Sequence, residues 1–350
     1  MEYNSTESGR SVTGSDEVEY LCDWAYETFE TINGAFFILI FIFSATGNCL
    51  LLGVLFVYEK LKNVTNIFVL NLAISDLILT VTLPFWAVYH LRYWVFGEFA
   101  CKLITAAYYV GLYSSIILLT AMTVDRFITV VLHNWLSSSV RRQRGALVAC
   151  AAAWVISTAA SVSDAIKMKV EIYYDGLPRC EDPSNDMDIK LGYYLQVSLL
   201  FFLPFAIIVF CYSAILKTVL QSSNRKRHRT VVVVLCIVAA FFICWGPYNI
   251  LLFIMSLYEP KECNARKRLA IADYICRILA YSHCCMNPLL YMLSQKIRRH
   301  LLDFLHCEKA RRKNRERGTG QSTSVIQNVA ATAPTSAVVL ELHCKHSLLK

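Results

Sequence analysis

Asp76 lies in Asn71-Leu72-Ala73-Ile74-Ser75-Asp76-Leu77, deep inside a long apolar run, where a carboxylate is costly enough to count as a functional candidate. Asn48, Ser115, His283 and Asn287, in other apolar runs, are the polar residues available to meet it. Such a set can hold a cation or share a proton in a hydrated cluster, or form a plain hydrogen-bond knot between helices, and spacing does not choose. A second pair, Asp125-Arg126, stands at the end of another run, where each charge can satisfy the other or reach water. No H-E-x-x-H, G-x-S-x-G or Walker pattern is present, so the chain is not expected to be an enzyme.

The elements that must carry these residues follow from composition. Of 350 residues, 56% are hydrophobic and only 17% charged, with a mean hydropathy of +0.45; an ordinary globular domain carries roughly 25% charged residues. A disordered, collagen-like or nucleic-acid-coating chain is excluded, and no nucleic-acid partner is expected. Apolar stretches fall at 32–58, 66–91, 102–132, 147–167, 191–217, 231–257 and 269–293. Each is near or above the ~20 residues a helix needs to cross the hydrocarbon. Runs such as Val231 to Ile243 do not alternate, which argues against a transmembrane barrel. The expected fold is an all-α membrane protein, a bundle of seven transmembrane helices.

Loop charge orients the bundle. Lys60 and Lys62, Arg141, Arg142 and Arg144, Arg225 to Arg229, and Lys296, Arg298 and Arg299 all follow odd-numbered crossings and belong on the cytoplasmic side. Arg266, Lys267 and Arg268 are the exception. The first thirty residues hold eight acidic residues against one Arg and no basic n-region, so no cleavable signal peptide is expected and the N-terminus is placed outside. Cys22, Cys101, Cys180 and Cys263 then share the outer side; four cysteines in an oxidising compartment allow three pairings, which arithmetic cannot separate. Asn4-Ser5-Thr6 is an outer glycosylation sequon, whereas Asn63-Val64-Thr65 lies inside and should stay bare. Pro84, Pro204, Pro247 and Pro288 each interrupt a span, creating kinks and places to bend.

Gly47-Asn48, Asn71 to Asp76, Asp125-Arg126-Phe127, Trp154, Leu203-Pro204, Cys244-Trp245-Gly246-Pro247-Tyr248 and Asn287-Pro288-Leu289-Leu290-Tyr291, in that order, resemble class A G-protein-coupled receptors over roughly residues 30 to 306. Thr82-Leu83-Pro84-Phe85-Trp86, Trp94-Val95-Phe96-Gly97, the four outer cysteines and Ser282-His283-Cys284-Cys285 resemble the chemokine receptor family. Arg225 to Thr230, with Tyr274-Ile275-Cys276-Arg277, is most similar to its XC (lymphotactin) type. Two positions depart from the family. Arg277 stands near a position often held by Glu, which favours a ligand with different pocket chemistry, and Phe127 replaces the commoner Tyr.

The resemblance implies a cell-surface receptor, multi-pass in the plasma membrane with a cytoplasmic C-terminus, that binds a basic chemokine and activates an inhibitory-class heterotrimeric G protein. It implies bridges Cys101 to Cys180 and Cys22 to Cys263. Ligand contacts would come from Glu17, Glu19 and Tyr20, a sulfation candidate in the acidic tail, and from Trp86, Tyr108, Tyr109, Tyr248, Asp273 and Arg277 in the outer cavity. Trp245 beside Pro247 would sense insertion. Asp125, Arg126, Tyr212, Asn287, Pro288 and Tyr291 would rearrange towards the G protein. No cofactor is expected beyond a sodium ion at Asp76, Ser115 and Asn287.

Four regions are expected: an acidic extracellular tail (1–31), the bundle (32–293), a short amphipathic eighth helix (294–307) on the inner leaflet with Cys307 as a palmitoylation candidate, and a disordered tail (308–350). Ser322, Thr323, Ser324, Thr335 and Ser336 are candidate sites for receptor kinases that would recruit arrestin. The competing readings are a chemokine-scavenging receptor without signalling, a receptor for another peptide ligand and, against the absence of an internal repeat, a seven-span transporter or channel.

Overall fold

The computed structural model describes residues 14–59, 62–132, 139–172, 176–183, 186–220, 225–258, 262–292 and 298–305. The elements are α1 (Gly14–Tyr58), α2 (Val64–Leu91), α3 (Gly97–Val130), α4 (Ser139–Lys167), β1 (Lys169–Ile172), β2 (Pro178–Glu181), α5 (Asp186–Val197), a π-helical turn at Ser198–Phe202, α6 (Leu203–Leu220), α7 (Arg225–Leu257) and α8 (Cys263–Met292). A short helix over 298–305 follows. α5, the π turn and α6 together form the fifth crossing, so the chain makes the seven expected traverses.

Among the described residues, six helices are long and apolar enough to cross a membrane by composition alone. α8 is the seventh, and its outer half carries Lys267, Arg268, Asp273 and Arg277, which lowers its apolar signal. At the other end of the chain α1 reaches back to Gly14, well before the expected start of the first span. Asp16 to Tyr26 contains neither Gly nor Pro, and its acidic residues fall near a helix N-terminus, where negative charge is favoured.

Packing is tightest where small residues let backbones approach. A Cβ on Gly111 of α3 would lie 2.8 Å from the Leu79 backbone nitrogen of α2, and one on Gly47 of α1 would lie 2.8 Å from Pro288 Cγ of α8. Polar ties cross the same seams. Trp154 Nε1 of α4 donates to Asn71 Oδ1 of α2 at 2.8 Å, and Ser75 Oγ donates to the Gly111 carbonyl at 2.8 Å. Pro84, Pro247 and Pro288 lie inside α2, α7 and α8. Pro204 instead sits in the first turn of α6, directly after the π turn, where a break in the ladder has already been made. Asn63, of the inner sequon, caps α2 by accepting from the Thr65 backbone N–H at 3.1 Å.

Beyond α4, β1 and β2 form an antiparallel hairpin that pairs Val170 with Cys180. Cys101 at the start of α3 is bonded to Cys180, as expected, with Cα atoms 5.7 Å apart. Trp94 backs the bond: its backbone N–H donates to the Pro178 carbonyl and its indole N–H to Gly97, at 3.0 and 2.8 Å. The side chains of Cys22 and Cys263 lie outside the described residues, as do Asn4, Cys307 and the tail from 306 onward.

Candidate functional site

Three polar regions are strung along the bundle. The first is an aromatic cluster contributed by α2, α3, α7 and α8. Trp86 faces Tyr89, Trp94 and Tyr108 with ring centroids 6.1, 5.7 and 6.4 Å away, and Tyr108 lies 5.0 Å from Tyr109 and 5.7 Å from Tyr281. Rigid rings of this kind bury a large area with few rotors to order, which suits a cavity that receives a ligand. Asp273 and Arg277, one helical turn apart on α8, form an ion pair of 2.7 Å. The Arg at position 277 is thus matched by its own helix, and the pair adds no net charge to the cavity. The side chains of Glu17, Glu19 and Tyr20 lie outside the described residues, although their backbone belongs to α1.

Two participants were missed by sequence reasoning. Tyr281 continues the spacing Asp273, Arg277, Tyr281 along one face of α8 and meets Tyr108, Trp245 and Phe37; its i+4 register from Arg277 was the available signal. Asp164 near the end of α4 accepts a 2.8 Å hydrogen bond from the Tyr113 hydroxyl of α3, a further carboxylate within a span that carried no motif to flag it.

The floor of this cavity is Trp245, only 1% exposed, which touches Phe241, Tyr248, Tyr281 and His283 with centroids 6.0 to 6.4 Å away. A small cavity lined by Tyr113, Ile116, Gln196, Leu200, Trp245 and Asn249 opens beside it. The void has room for about one water, so the packing around the indole is incomplete on that side.

Below Trp245 is the Asp76 cluster. Asp76 Oδ1 accepts from Ser115 at 3.2 Å and Oδ2 from Asn287 at 2.7 Å, and His283 Nε2 stands 3.9 Å from Oδ1. Asn48 is not in direct contact with the carboxylate. Its amide donates to the carbonyls of Ser44 and Cys284, both at 3.0 Å, and reaches Asp76 only through Ser44, Thr80 and the Asp76 carbonyl. Asn48 Oδ1 and Asn287 Oδ1 are buried acceptors with no donor among the described residues. The spare Asn287 Oδ1, with Ser115 Oγ and the Asp76 carboxylate, is an oxygen donor set of the kind a hard cation takes, so these residues fit a sodium ion.

The innermost region surrounds Arg126. Its Nη2 donates to Thr65 Oγ1 of α2 and lies 3.8 Å from Asp125, while its Nε is buried without a partner among the described residues. The hydroxyls of Tyr212 on α6 and Tyr291 on α8 are likewise buried and unpartnered there. Three unpaired polar groups at one end of the bundle are costly in this arrangement and are available to a different one. Alongside, the helix over 298–305 docks on α1: His300 stacks on Tyr58 with centroids 5.0 Å apart, and a Cβ on Gly53 would lie 3.2 Å from Phe304.

A bundle of seven helices with an aromatic cluster at one end, a buried carboxylate within it and a buried arginine towards the other end fits the rhodopsin-like receptor class, and the profile of the seven-transmembrane receptor (rhodopsin) family matches residues 47–291. The chain is 41% identical over 289 residues to the human chemokine XC receptor 1, covering 79% of this chain and 82% of that one. It is 37% identical to the mouse chemokine XC receptor 1 over 82% of this chain and 87% of the relative. Human C-C chemokine receptor type 8 is 34% identical, with 76% of both chains covered. The chain belongs to the chemokine receptors of the rhodopsin family, multi-pass membrane receptors rather than enzymes.

Proposed function

We propose that the chain is a signalling chemokine receptor of the XC type, in the plasma membrane with its N-terminus outside. The observation that carries this reading is the vertical alignment of the Trp86, Tyr108, Tyr109 and Tyr248 cavity, its Trp245 floor and the unpaired groups around Arg126, Tyr212 and Tyr291. A basic chemokine is drawn to the acid-rich tail through Glu17, Glu19 and a sulfated Tyr20, and then lays its own N-terminus in the cavity. Insertion displaces Trp245, α7 swings about Pro247, and Arg126 exchanges its inner contacts for an inhibitory-class G protein. The Asn287-Pro288 segment couples the same motion to Asp76, where a sodium ion held with Ser115 and Asn287 favours the resting state.

Several further features support the orientation and its partners. The Cys101–Cys180 bond belongs on an oxidising side, as does a second bridge between Cys22 and Cys263, and glycan at Asn4 would share that side. The basic helix over 298–305 lies on inner-leaflet lipid, anchored by acylated Cys307, and phosphorylation of the Ser- and Thr-rich tail by receptor kinases recruits arrestin.

The test is cyclic-AMP inhibition in cells expressing the chain, screened against a chemokine panel that includes the XC ligand, with ligand uptake recorded in parallel. A selective response to the XC ligand is expected. Uptake without inhibition would make the chain a scavenging receptor, and silence in both would overturn the chemokine assignment.

A further inference from the structure

Two guanidiniums compete for one carboxylate at the inner end of α3. Asp125 is adjacent in sequence to Arg126, yet it is Arg142, four residues into α4, that takes both of its oxygens: Nε is 2.9 Å from Oδ1 and Nη2 is 3.0 Å from Oδ2. Arg126 stands 3.8 Å from Oδ2, bonds Thr65 of α2 and leaves its Nε unpaired. The fork-on-fork geometry is the stronger of the two, and it is not an ordinary surface pair, since the Asp125 side chain is only 11% exposed and that of Arg142 29%. A cation in the first turn of a helix is disfavoured by the helix dipole, and Asp125 is what offsets it at Arg142.

We infer that Arg142 is a positioning residue for G-protein coupling: by holding Asp125 on α4 it prevents that carboxylate from clamping Arg126, whose guanidinium stays releasable to the partner. The inference rests on the coupling reading above. Asp125 ties α3 to α4 and Arg126 ties α3 to α2, so the resting inner face is held by two contacts between helices in place of one within α3. When Arg142 is removed, Asp125 has one cation left to turn to, and Arg126 becomes harder to release. The effect of Arg142 therefore travels through Asp125 and spares the outer cavity.

The experiment uses full-length receptor in nanodiscs with purified inhibitory-class G protein, reading chemokine-stimulated nucleotide exchange and, separately, chemokine affinity without G protein. Arg142→Gln is expected to raise the chemokine concentration for half-maximal exchange about fivefold to tenfold while chemokine affinity stays within twofold. Arg142→Lys, which keeps the charge and loses the fork, falls between. In an Asp125→Asn background Arg142→Gln has no further effect. An unchanged half-maximal concentration in Arg142→Gln overturns the inference, and so does an equal shift in the Asp125→Asn background, which would mean that Arg142 meets the G protein itself. If wild-type receptor supports no exchange with any chemokine, it is the coupling reading that fails. Wild type, Arg142→Gln, Asp125→Asn and the double variant then decide the pairing by their thermal midpoints: non-additive changes keep the Asp125–Arg142 tie, and additive ones remove it.

Discussion

Replacing Gly111 with Ala should drive α2 and α3 apart. The added Cβ would lie 2.8 Å from the Leu79 backbone nitrogen, 2.9 Å from Leu79 Cβ and 3.0 Å from the Ser75 carbonyl oxygen, where ordinary contact begins at 3.4 Å. Two of those three atoms are backbone and cannot rotate aside, so the helices must separate by roughly half an ångström, an overpacking cost of about 1–3 kcal/mol. The Ser75 to Gly111 hydrogen bond is stretched at the same time, at about 0.6 kcal/mol for a typical bond between membrane helices. Against this, Ala gains about 1 kcal/mol of helix propensity over Gly. The net expectation is a loss of about 1–2 kcal/mol. Gly145→Ala in α4 is the control, because nothing lies within 4 Å of its Cβ and only the propensity gain remains. Thermal unfolding in nanodiscs, followed with a thiol-reactive dye that reports exposure of the buried Cys150, Cys211, Cys244 and Cys284, would read both variants. Gly111→Ala should melt below wild type and Gly145→Ala at or above it. A Gly111→Ala receptor that melts as high as the Gly145→Ala one would refute the close-approach argument.

Other consequences are open to equally direct measurement. Trp154→Phe keeps the ring but removes the donor to Asn71, and should lower stability by about 1 kcal/mol in the same dye assay; no change would mean that Asn71 finds another donor. Exchanging choline for sodium at constant ionic strength should raise the wild-type midpoint and leave Asp76→Asn unmoved, while equal responses would show that sodium acts elsewhere. Glu17→Lys with Glu19→Lys should weaken chemokine binding, most at low salt, where unscreened charges reach furthest. An affinity and salt dependence equal to wild type would remove the acidic tail from recognition.

The seven traverses were legible because each apolar run exceeds the length of a crossing, and the order of motifs placed Trp245, Pro247, Asn287 and Tyr291 before any geometry was known. Charge marks both ends of the bundle. The acidic tail of residues 1–31 was bounded by charge alone, which says nothing of helix length; nothing between Asp16 and Tyr26 breaks a helix, and α1 begins at Gly14. The polar outer half of α8 diluted a crossing whose inner half is tightly packed. Side-chain partnership was harder to read than position. Asn48 was grouped with Asp76 by depth, yet its amide turns to the carbonyls of Ser44 and Cys284; the Cys284 carbonyl is the one Pro288 leaves without a helical donor, and the carboxylate is already served by Ser115 and Asn287. Arg142 entered only as a count towards loop charge, and no spacing rule joins residues 125 and 142 across a turn between helices.

The π turn at Ser198–Phe202 makes the fifth crossing a jointed shaft. One surplus residue in the coil offsets the azimuth of everything above it by about 100° relative to everything below. α5, which brings Gln196 to the void beside Trp245, and α6, which buries Ile208, Tyr212 and Ile215, therefore keep separate phases. Change in the α5 half need not remodel the α6 half. Deleting a single residue within the turn would restore a uniform coil and swing every outer side chain to a new bearing, while the Phe205–Phe242 contact 4.9 Å across the inner seam stayed in place.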